Sequence, residues 1–275
     1  MKDIVGVSHI KYELDNLKEI PHILFSGPRG AGKTTLAQYI ADKSKNKLIF
    51  TTGNTLKKHE LLNVLINLNK GDILLVDEIH RLKPEVEEIL YQPMELYKLP
   101  MRDLTGRFQT FALPQFTVIG TTTKPSLLSK PLISRFRITF QIPHYNLREL
   151  SRIITHEYKI SKRDSLKVAL NVVTPREALN LTYRILQLGN DIEKNLQFIG
   201  YKFGLNKSER FYLKIVYNVG NISLSSLTSA LQLDEDEVKY IEDKLLQKRY
   251  IQITNKGRVL TPTGLIKMKE ILGDK

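Results

Sequence analysis

The sequence has no cysteine among its 275 residues. That absence excludes disulfides, thiolate zinc sites and cysteine nucleophiles, and it suits a reducing compartment. No apolar run reaches the ~18 residues that a membrane-spanning helix needs. Residues 1–17 alternate charged and apolar side chains, unlike a secretory signal peptide. We therefore expect a cytoplasmic protein without a membrane segment.

Acidic residues are scarce beside basic ones, with 29 Asp and Glu against 42 Lys and Arg and a net charge of +13. This balance favours an anionic partner, either nucleic acid or a membrane surface. The alternative is a lysine-rich composition without functional meaning, because the lysines are spread along the whole chain. Hydrophobic residues make up 41% of the chain, which is enough for a packed core.

Short apolar runs alternate with helical patterns in the first half of the chain. This alternation predicts an α/β domain with a mostly parallel sheet. The predicted strands are residues 23–26, 47–51, 73–76, 116–120 and 137–142, and the predicted helices are residues 33–43, 58–69 and 84–95. Residues 101–112 alternate about Thr105-Gly106 and predict a β-hairpin.

After Pro143 the pattern becomes helical, and a further change follows at Leu205. Helices are predicted at residues 147–158, 164–171, 175–188, 208–218, 223–231 and 234–248, with a short helix and a linker within 189–204. Ser223 and Asp234 are expected N-caps. Strands at 250–254 and 258–261 complete a winged helix. The predicted domains are residues 1–143, 144–204 and 205–275.

Residues 27–34 fit the phosphate-loop pattern G-x-x-x-x-G-K-[ST] and lie between a predicted strand and a predicted helix. The backbone amides of Gly27, Gly30 and Gly32 are expected to face phosphate oxygens, with Thr35 in the following turn. Lys33 would reach the β- and γ-phosphates, and Thr34 would hold Mg²⁺. A chance match to the pattern is the alternative.

Asp77 and Glu78 follow the apolar strand 73–76, whose end is expected beside the phosphates. Asp77 is expected to hold Mg²⁺ through water, and Glu78 to orient or deprotonate the attacking water. A helix N-cap is the alternative role for Asp77. After the strand 116–120, the hydroxyls of residues 121–123 are placed to reach the γ-phosphate or the water. The β-propensity of threonine is their alternative explanation.

Four segments together resemble the RuvB family of AAA+ ATPases, the motors of bacterial Holliday-junction branch migration. They are residues 27–37, 77–82 (DEIHRL), 86–91 (VEEILY) and 116–123 (FTVIGTTT). The similarity continues through residues 134–136, 174–176 and 257–259. It implies an AAA+ P-loop NTPase fold with a parallel sheet, a small helical lid domain and a C-terminal winged helix.

The resemblance implies ATP and Mg²⁺ as cofactors and assigns roles to further residues. Arg135 matches the arginine finger that completes the ATP site of a neighbour, and Arg176 matches the second sensor. By themselves, the two arginines are better explained as surface residues than as catalytic ones. The other implied nucleotide contacts are Tyr145 at the start of the lid, Thr122 or Thr123 as the first sensor, and the segment with Glu95 and Tyr97.

The implied function is an ATP-dependent DNA motor that acts in recombination and DNA repair. The resemblance implies a homo-oligomeric ring, a hexamer, that grips the arms of a four-way junction by their phosphate backbone. A RuvA-like protein would dock on the hairpin 101–112, and a RuvC-like resolvase is a further implied partner. DNA contacts are expected at Lys256 and Arg258 on the wing and at Arg249, Lys244 and Lys248.

Some positions depart from the family pattern. The segment before Val5-Gly6, which helps to enclose the adenine, is expected to be missing, and the hairpin and the lid are expected to be shortened. Ile133 and Ile253 replace basic residues. The main competing function is a replication-initiator-like AAA+ switch that binds DNA without translocation. A non-catalytic regulatory module and a clamp-loader subunit also compete with the motor, and a role in protein binding competes with DNA binding for the winged helix.

Overall fold

The computed structural model describes residues 5–102 and 107–273. Thr105-Gly106, on which the hairpin prediction is centred, and the segment before Val5 lie outside the described residues. The chain divides into two compact units, Met1–Pro143 and His144–Lys275. The first predicted domain boundary coincides with this division. The further division between residues 204 and 205 stays a prediction.

The first unit is built on a parallel five-stranded sheet with the order β2-β3-β6-β1-β7. Its strands are β1 (Ile23–Ser26), β2 (Leu48–Thr52), β3 (Ile73–Asp77), β6 (Thr117–Thr122) and β7 (Ile138–Gln141). Its helices are α1 (Ser8–Asn16), α2 (Lys33–Ser44), α3 (Lys58–Ile66), α4 (Pro84–Leu96) and α5 (Lys130–Ile133). All four residues of β1 and all six of β6 are buried, as expected for central parallel strands.

The predicted hairpin is present as the antiparallel pair β4 (Lys98–Arg102) and β5 (Phe108–Ala112). Helix α1 is an element that the sequence did not predict. It is short, and Ile10 and Leu14 are its only buried residues, so its apolar stripe is too narrow to stand out.

The second unit begins with four helices: α6 (Leu147–Tyr158), α7 (Lys162–Ala169), α8 (Pro175–Gln187) and α9 (Ile192–Phe198). Each has an N-cap side chain that accepts a hydrogen bond from a backbone amide of its first turn. These four helices correspond to the predicted lid and share a hydrophobic cluster that includes Leu150, Ile154 and Ile185.

A winged helix follows, formed by α10 (Lys207–Val219), α11 (Leu224–Leu231), α12 (Glu235–Gln247), β8 (Ile251–Thr254), β9 (Gly257–Leu260) and α13 (Pro262–Leu272). Ser223 and Asp234 are N-caps, as predicted. Helix α13 was not predicted, because Gly264 in its first turn is typical of a loop. The glycine is needed there, since a Cβ would collide with the backbone carbonyl of Tyr250.

None of the helices within residues 5–102 and 107–273 combines the length and the apolar character that crossing a membrane would require.

A buried histidine joins three elements of the first unit. The Nδ1 atom of His22 accepts a hydrogen bond of 2.8 Å from the backbone amide of Val118 in β6. Its Nε2 atom lies 2.9 Å from the carbonyl oxygen of Met94 in α4 and therefore carries the proton. Burial lowers the pKa of His22 below its usual 6.5. The neutral imidazole thus connects the amino end of β1 to strand β6 and helix α4.

We expect the free energy of unfolding to decrease as the pH falls below 6.5. The unfolded chain takes up the proton at the usual pKa, whereas folding lowers the pKa of His22. Its contribution is therefore complete above 6.5 and is lost as the pH falls toward the folded-state pKa. Calorimetric unfolding between about pH 7.5 and pH 5.5 measures this decrease.

The matched comparison uses two variants. His22→Gln cannot titrate and should show a smaller decrease, whereas His9→Gln, at an exposed position, should behave as the parent does. An equal decrease in His22→Gln and the parent would contradict the assignment.

Candidate nucleotide-hydrolysis site

The carboxyl ends of three neighbouring strands meet at one edge of the sheet in the first unit. Strand β6 lies between β3 and β1, with Val76 paired to Gly120 and Ser26 paired to Thr122. The glycine loop follows β1, the acidic pair lies at the end of β3, and the threonines lie at the end of β6. The topology therefore brings together three sequence segments that were predicted to act jointly.

The loop between β1 and α2 has the shape of a phosphate cradle. Gly32 has the left-handed φ of +93° and caps α2, so the helix begins directly at Lys33. At Gly27, which has a φ of +151°, a Cβ would lie 2.8 Å from the carbonyl oxygen of Ile142. Gly30 lies within the same loop, and Thr35 is an exposed residue of the first turn of α2. The backbone amides at this helix N-terminus suit an anion.

The ammonium group of Lys33 is held inside the loop. Its Nζ atom donates hydrogen bonds to the carbonyl oxygens of Gly27, at 2.9 Å, and Pro28, at 3.0 Å. Lys33 is only 6% exposed. A buried cation at the centre of a glycine-rich loop is the chemistry that a triphosphate requires.

Oxygen ligands suited to Mg²⁺ lie beside this loop. The Oγ1 atom of Thr34 lies 3.4 Å from Oδ1 of Asp77, and the hydroxyl of Thr121 donates a hydrogen bond to the same carboxylate oxygen. Hard oxygen donors match Mg²⁺, which keeps several waters and shares phosphate oxygens with its substrate. No cluster of three or more acidic, histidine or cysteine ligands occurs in the described part of the chain. The residues present therefore fit a metal held jointly with a phosphate group.

Thr121 is a site residue that sequence reasoning did not single out. It is fully buried, and its hydroxyl also accepts a hydrogen bond of 3.2 Å from the backbone amide of Glu78. One side chain thus orients both members of the acidic pair. The sequence placed Thr121 with Thr122 and Thr123 near the carboxyl end of this strand, but it gave no reason to prefer Thr121, because threonine is common in strands for other reasons.

Glu78 is positioned by groups from two directions. It has a left-handed backbone with φ +50°, and its Oε2 atom accepts a hydrogen bond of 2.9 Å from the hydroxyl of Thr123. The Nδ1 atom of His80 lies 3.1 Å from the same oxygen and 2.9 Å from Oγ1 of Thr122. Burial lowers the pKa of His80, although the charge of Glu78 opposes that shift. Thr123 therefore contacts the acid directly, whereas the fully buried Thr122 holds His80.

Arg135 is oriented by groups of its own chain. The guanidinium carbon lies 4.4 Å from the ring centroid of Tyr91. Its nitrogens donate hydrogen bonds to the carbonyl oxygens of Tyr91, at 3.0 Å, and Pro131, at 2.6 Å. Glu95, an exposed residue of α4, forms an ion pair of 3.1 Å with it. The structure thus brings Glu95 and Arg135 together as one cluster.

Tyr97 does not belong to the site formed by the strand ends of this chain. Its ring packs against Phe116, at a centroid distance of 5.8 Å, and against His22, at 6.3 Å. Those two residues directly precede β6 and β1, so they lie at the amino ends of the strands, opposite the glycine loop. The predicted nucleotide contact of Tyr97 is therefore not formed at the strand ends of its own chain, and it stays a prediction.

The two predicted lid residues belong to the second unit. Tyr145 lies two residues before the start of α6 and is half-buried, and burial raises its pKa to about 12. Arg176 is exposed in the first turn of α8. Their roles toward the nucleotide stay predictions.

Two of the three basic residues predicted to contact DNA at or near the wing are exposed to solvent. Lys256 and Arg249 are exposed. Arg258 instead forms an ion pair with Glu242 of α12, with its Nε atom 2.8 Å from Oε1 and its Nη2 atom 3.2 Å from Oε2. Its side chain is only 15% exposed, so the prediction of a DNA-contacting Arg258 disagrees with its place in the fold.

Lys244 and Lys248, which were also expected to contact DNA, have partners inside the fold. Lys244 is 4% exposed and paired with carboxylates. The Nζ atom of Lys248 donates hydrogen bonds to the carbonyl oxygens of Gly204, at 2.6 Å, and Leu170, at 3.4 Å. Both ammonium groups are used within the second unit.

Comparison with known proteins identifies relatives over nearly the whole length. Residues 8–142 match the family model of the Holliday junction DNA helicase RuvB P-loop domain, and residues 202–269 match the RuvB C-terminal winged helix domain. A Holliday junction branch migration complex subunit RuvB from Orientia tsutsugamushi (strain Ikeda) is 36% identical, and the alignment covers 96% of this chain and 92% of that protein. This chain belongs to the RuvB family.

Other members of the family agree. The RuvB subunit of Campylobacter fetus subsp. fetus (strain 82-40) is 36% identical over 92% of this chain and 80% of its own length. The solved structure of the Thermotoga maritima RuvB Holliday junction branch migration motor is 30% identical, with a TM-score of 0.80 over 98% of this chain and 96% of that chain. The resemblance seen in the sequence and the AAA+ fold expected from it are both confirmed.

We expect Thr121→Val to lower the apparent affinity for Mg²⁺ in ATP hydrolysis. The substitution removes a donor to Asp77 and leaves the amide of Glu78 without its hydroxyl partner, so the Mg²⁺ concentration for half-maximal activity should rise by about tenfold. A magnesium titration of phosphate release measures it.

Thr121→Ser keeps the hydroxyl and should restore the parent value. Thr139→Val, at an exposed position of β7, is the control for a threonine-to-valine change. An unchanged magnesium titration in Thr121→Val would refute the positioning role.

Proposed function

We propose that this chain is the ATP-driven motor of Holliday-junction branch migration, acting in recombination and DNA repair. The observation that carries the proposal is the meeting of Lys33, Asp77, Glu78 and Thr123 at one sheet edge in a chain of the RuvB family. A phosphate cradle, a metal-binding carboxylate and a positioned general base are the parts that ATP hydrolysis needs.

Different residues of the chain have different roles in the proposed hydrolysis of ATP. Lys33 and the amides of the glycine loop bind the phosphates, and Glu78 accepts the proton of the attacking water. Thr123 and His80 hold the carboxylate of Glu78 in place. Thr34 and Asp77 would hold Mg²⁺, which neutralises charge on the phosphate oxygens. Because Glu78 is fixed before the reaction, little reorganisation is required at the transition state.

Arg135 acts on the ATP of a neighbouring subunit in this proposal. Its guanidinium is stacked on Tyr91 and anchored by two carbonyl oxygens, so it is already ordered at the surface of its own chain. An arginine supplied in this way stabilises charge on the transferred phosphoryl group. The proposal therefore requires a homo-oligomeric ring, which we take to be a hexamer.

The second unit would read the nucleotide and hold the DNA. Arg176 and Tyr145 are the proposed nucleotide contacts of the lid. Lys256 and Arg249 are the proposed contacts to the phosphate backbone, which is gripped without reading its sequence. The hairpin of β4 and β5 is the proposed docking surface for a RuvA-like partner, a RuvC-like resolvase is a further proposed partner, and the cytoplasm is the proposed location.

Branch migration of a synthetic four-way junction tests the function. We expect the chain, with ATP, Mg²⁺ and a RuvA partner, to convert the junction into two duplex products, and we expect ADP to give none. A replication-initiator-like switch would bind DNA without dissociating the junction. Binding and ATP hydrolysis without products would therefore refute the motor.

We expect Arg135→Ala and Glu78→Gln each to abolish ATP turnover while ATP binding persists. A mixture of the two proteins should regain activity. In the mixture, a Glu78→Gln subunit can offer its intact Arg135 to the intact Glu78 of an Arg135→Ala neighbour. Phosphate release as a function of mixing ratio is the measurement.

Arg137→Ala, at an exposed position two residues away, is the matched control and should keep parent activity. Turnover near the parent rate in Arg135→Ala, or a mixture as inactive as its components, would rule out action across a subunit boundary.

A further inference from the structure

One carboxylate in the second unit joins the predicted lid to the winged helix. Glu177 is the third residue of α8, and it directly follows Arg176. Its Oε2 atom accepts a hydrogen bond of 3.0 Å from the backbone amide of Val173, which precedes the N-cap residue Thr174 of the same helix. Its Oε1 atom contacts α12, where it accepts a hydrogen bond from the hydroxyl of Tyr240 and lies 3.1 Å from Nζ of Lys244.

The ammonium group of Lys244 has a second partner inside the winged helix. It pairs with Glu209 at the start of α10. The side chain of Lys244 is 5% exposed and that of Glu209 is fully buried. Burial favours the neutral amine, but the charges of Glu209 and Glu177 outweigh it and raise the pKa of Lys244. The lysine is therefore a charged bridge between the two carboxylates.

Two further cations reinforce this joint through backbone carbonyls. Lys248, which directly follows α12, reaches Leu170 after α7 and Gly204 of the connecting segment. Arg210 of α10 donates hydrogen bonds of 2.9 Å to the carbonyl oxygen of Gly200 and 2.7 Å to that of Leu205. The segment between α9 and α10 is thus tied to the winged helix rather than free to bend.

Buried ion pairs resist rearrangement. Separating Lys244 from Glu177 would leave the mostly buried carboxylate of Glu177 without its cation, although Lys244 would keep Glu209. Removing the partner of a buried charge is strongly unfavourable. A hinge at this joint would require that separation, whereas motion of lid and winged helix together would not. The contacts therefore favour the second motion.

We propose that Glu177 is a positioning residue that locks the winged helix to the helix carrying Arg176, so that lid and winged helix move as one rigid body during the ATP cycle. This inference rests on the proposed function, in which Arg176 senses the nucleotide and the winged helix holds DNA. Movement of the first turn of α8 then moves α12 and the wing directly.

Glu177→Ala is the main test variant. It removes the link but leaves Lys244 paired with Glu209, so the winged helix keeps a balanced charge in its core. Glu149→Ala is the matched control, because Glu149 caps α6 of the same lid through the amide of Asn146. Tyr240→Phe is a milder second variant, because it removes one hydroxyl at a 42% exposed position.

The first readout is the number of junctions resolved into duplex products per ATP hydrolysed. We expect Glu177→Ala to lower this ratio by about tenfold while phosphate release continues. Tyr240→Phe should lower it less, and Glu149→Ala should not change it. An unchanged ratio in Glu177→Ala would overturn the proposal.

The second readout tests the joint even if the chain moves no junction. Because the chain has no cysteine, Gln187→Cys on α8 and Lys269→Cys on α13, both exposed, give a single pair of spin-label sites. We expect one narrow distance without nucleotide, with ADP and with a non-hydrolysable ATP analogue, and a broad distribution once Glu177→Ala is added. A distance that shifts with nucleotide in the parent, or one that stays narrow with Glu177→Ala, would overturn it.

Discussion

The alignment of parallel strand ends is the constraint on which the site depends. Strand β6 runs between β1 and β3, so its last residues can reach both neighbours. Thr121 hydrogen-bonds to both residues of the acidic pair at the end of β3, while the carbonyl oxygen of Thr122 accepts a hydrogen bond of 3.2 Å from the amide of Gly27 after β1. The phosphate loop and the catalytic acid are therefore held at a fixed separation by one buried strand. In a parallel sheet the carboxyl ends of all strands lie at the same edge, which makes this arrangement possible.

The sequence could predict the parts of this site whose chemistry is local. The phosphate loop needs its glycines and Lys33 within eight positions, and Asp77 and Glu78 adjoin an apolar strand. It could not predict which threonine contacts which acid, because that choice depends on the pleat and the neighbouring strand. Successive residues of a strand point to opposite faces. Within β6, Thr121 reaches Asp77 and Thr122 reaches His80, whereas Thr123, which directly follows the strand, reaches Glu78.

The charged residues of the winged helix show a second limit of sequence reasoning. Net charge counts every lysine and arginine, but it does not reveal which of them are neutralised inside the fold. Glu242 and Lys244 are both buried in α12. Residues two apart on a helix do not face each other, so each needs a partner from another element. Glu242 pairs with Arg258 from the wing, and Lys244 pairs with Glu209. These partners are distant in sequence, and only the tertiary structure identifies them.

Side chains that are already ordered reduce the conformational entropy that a motor loses at each step of its cycle. A flexible arginine would lose conformational entropy each time it entered a neighbour's site, but Arg135 is already fixed by Tyr91, Pro131 and Glu95. The same reasoning applies to the joint at Glu177, because a loose connection would dissipate a movement of α8 before it reached the wing. A motor needs stiff elements wherever a small displacement is passed on, since packed and fully paired groups have few intermediate positions. Ordered polar contacts of this chain occur at two places where the proposed motor has to transmit a change, namely the proposed subunit boundary and the junction of the lid with the winged helix.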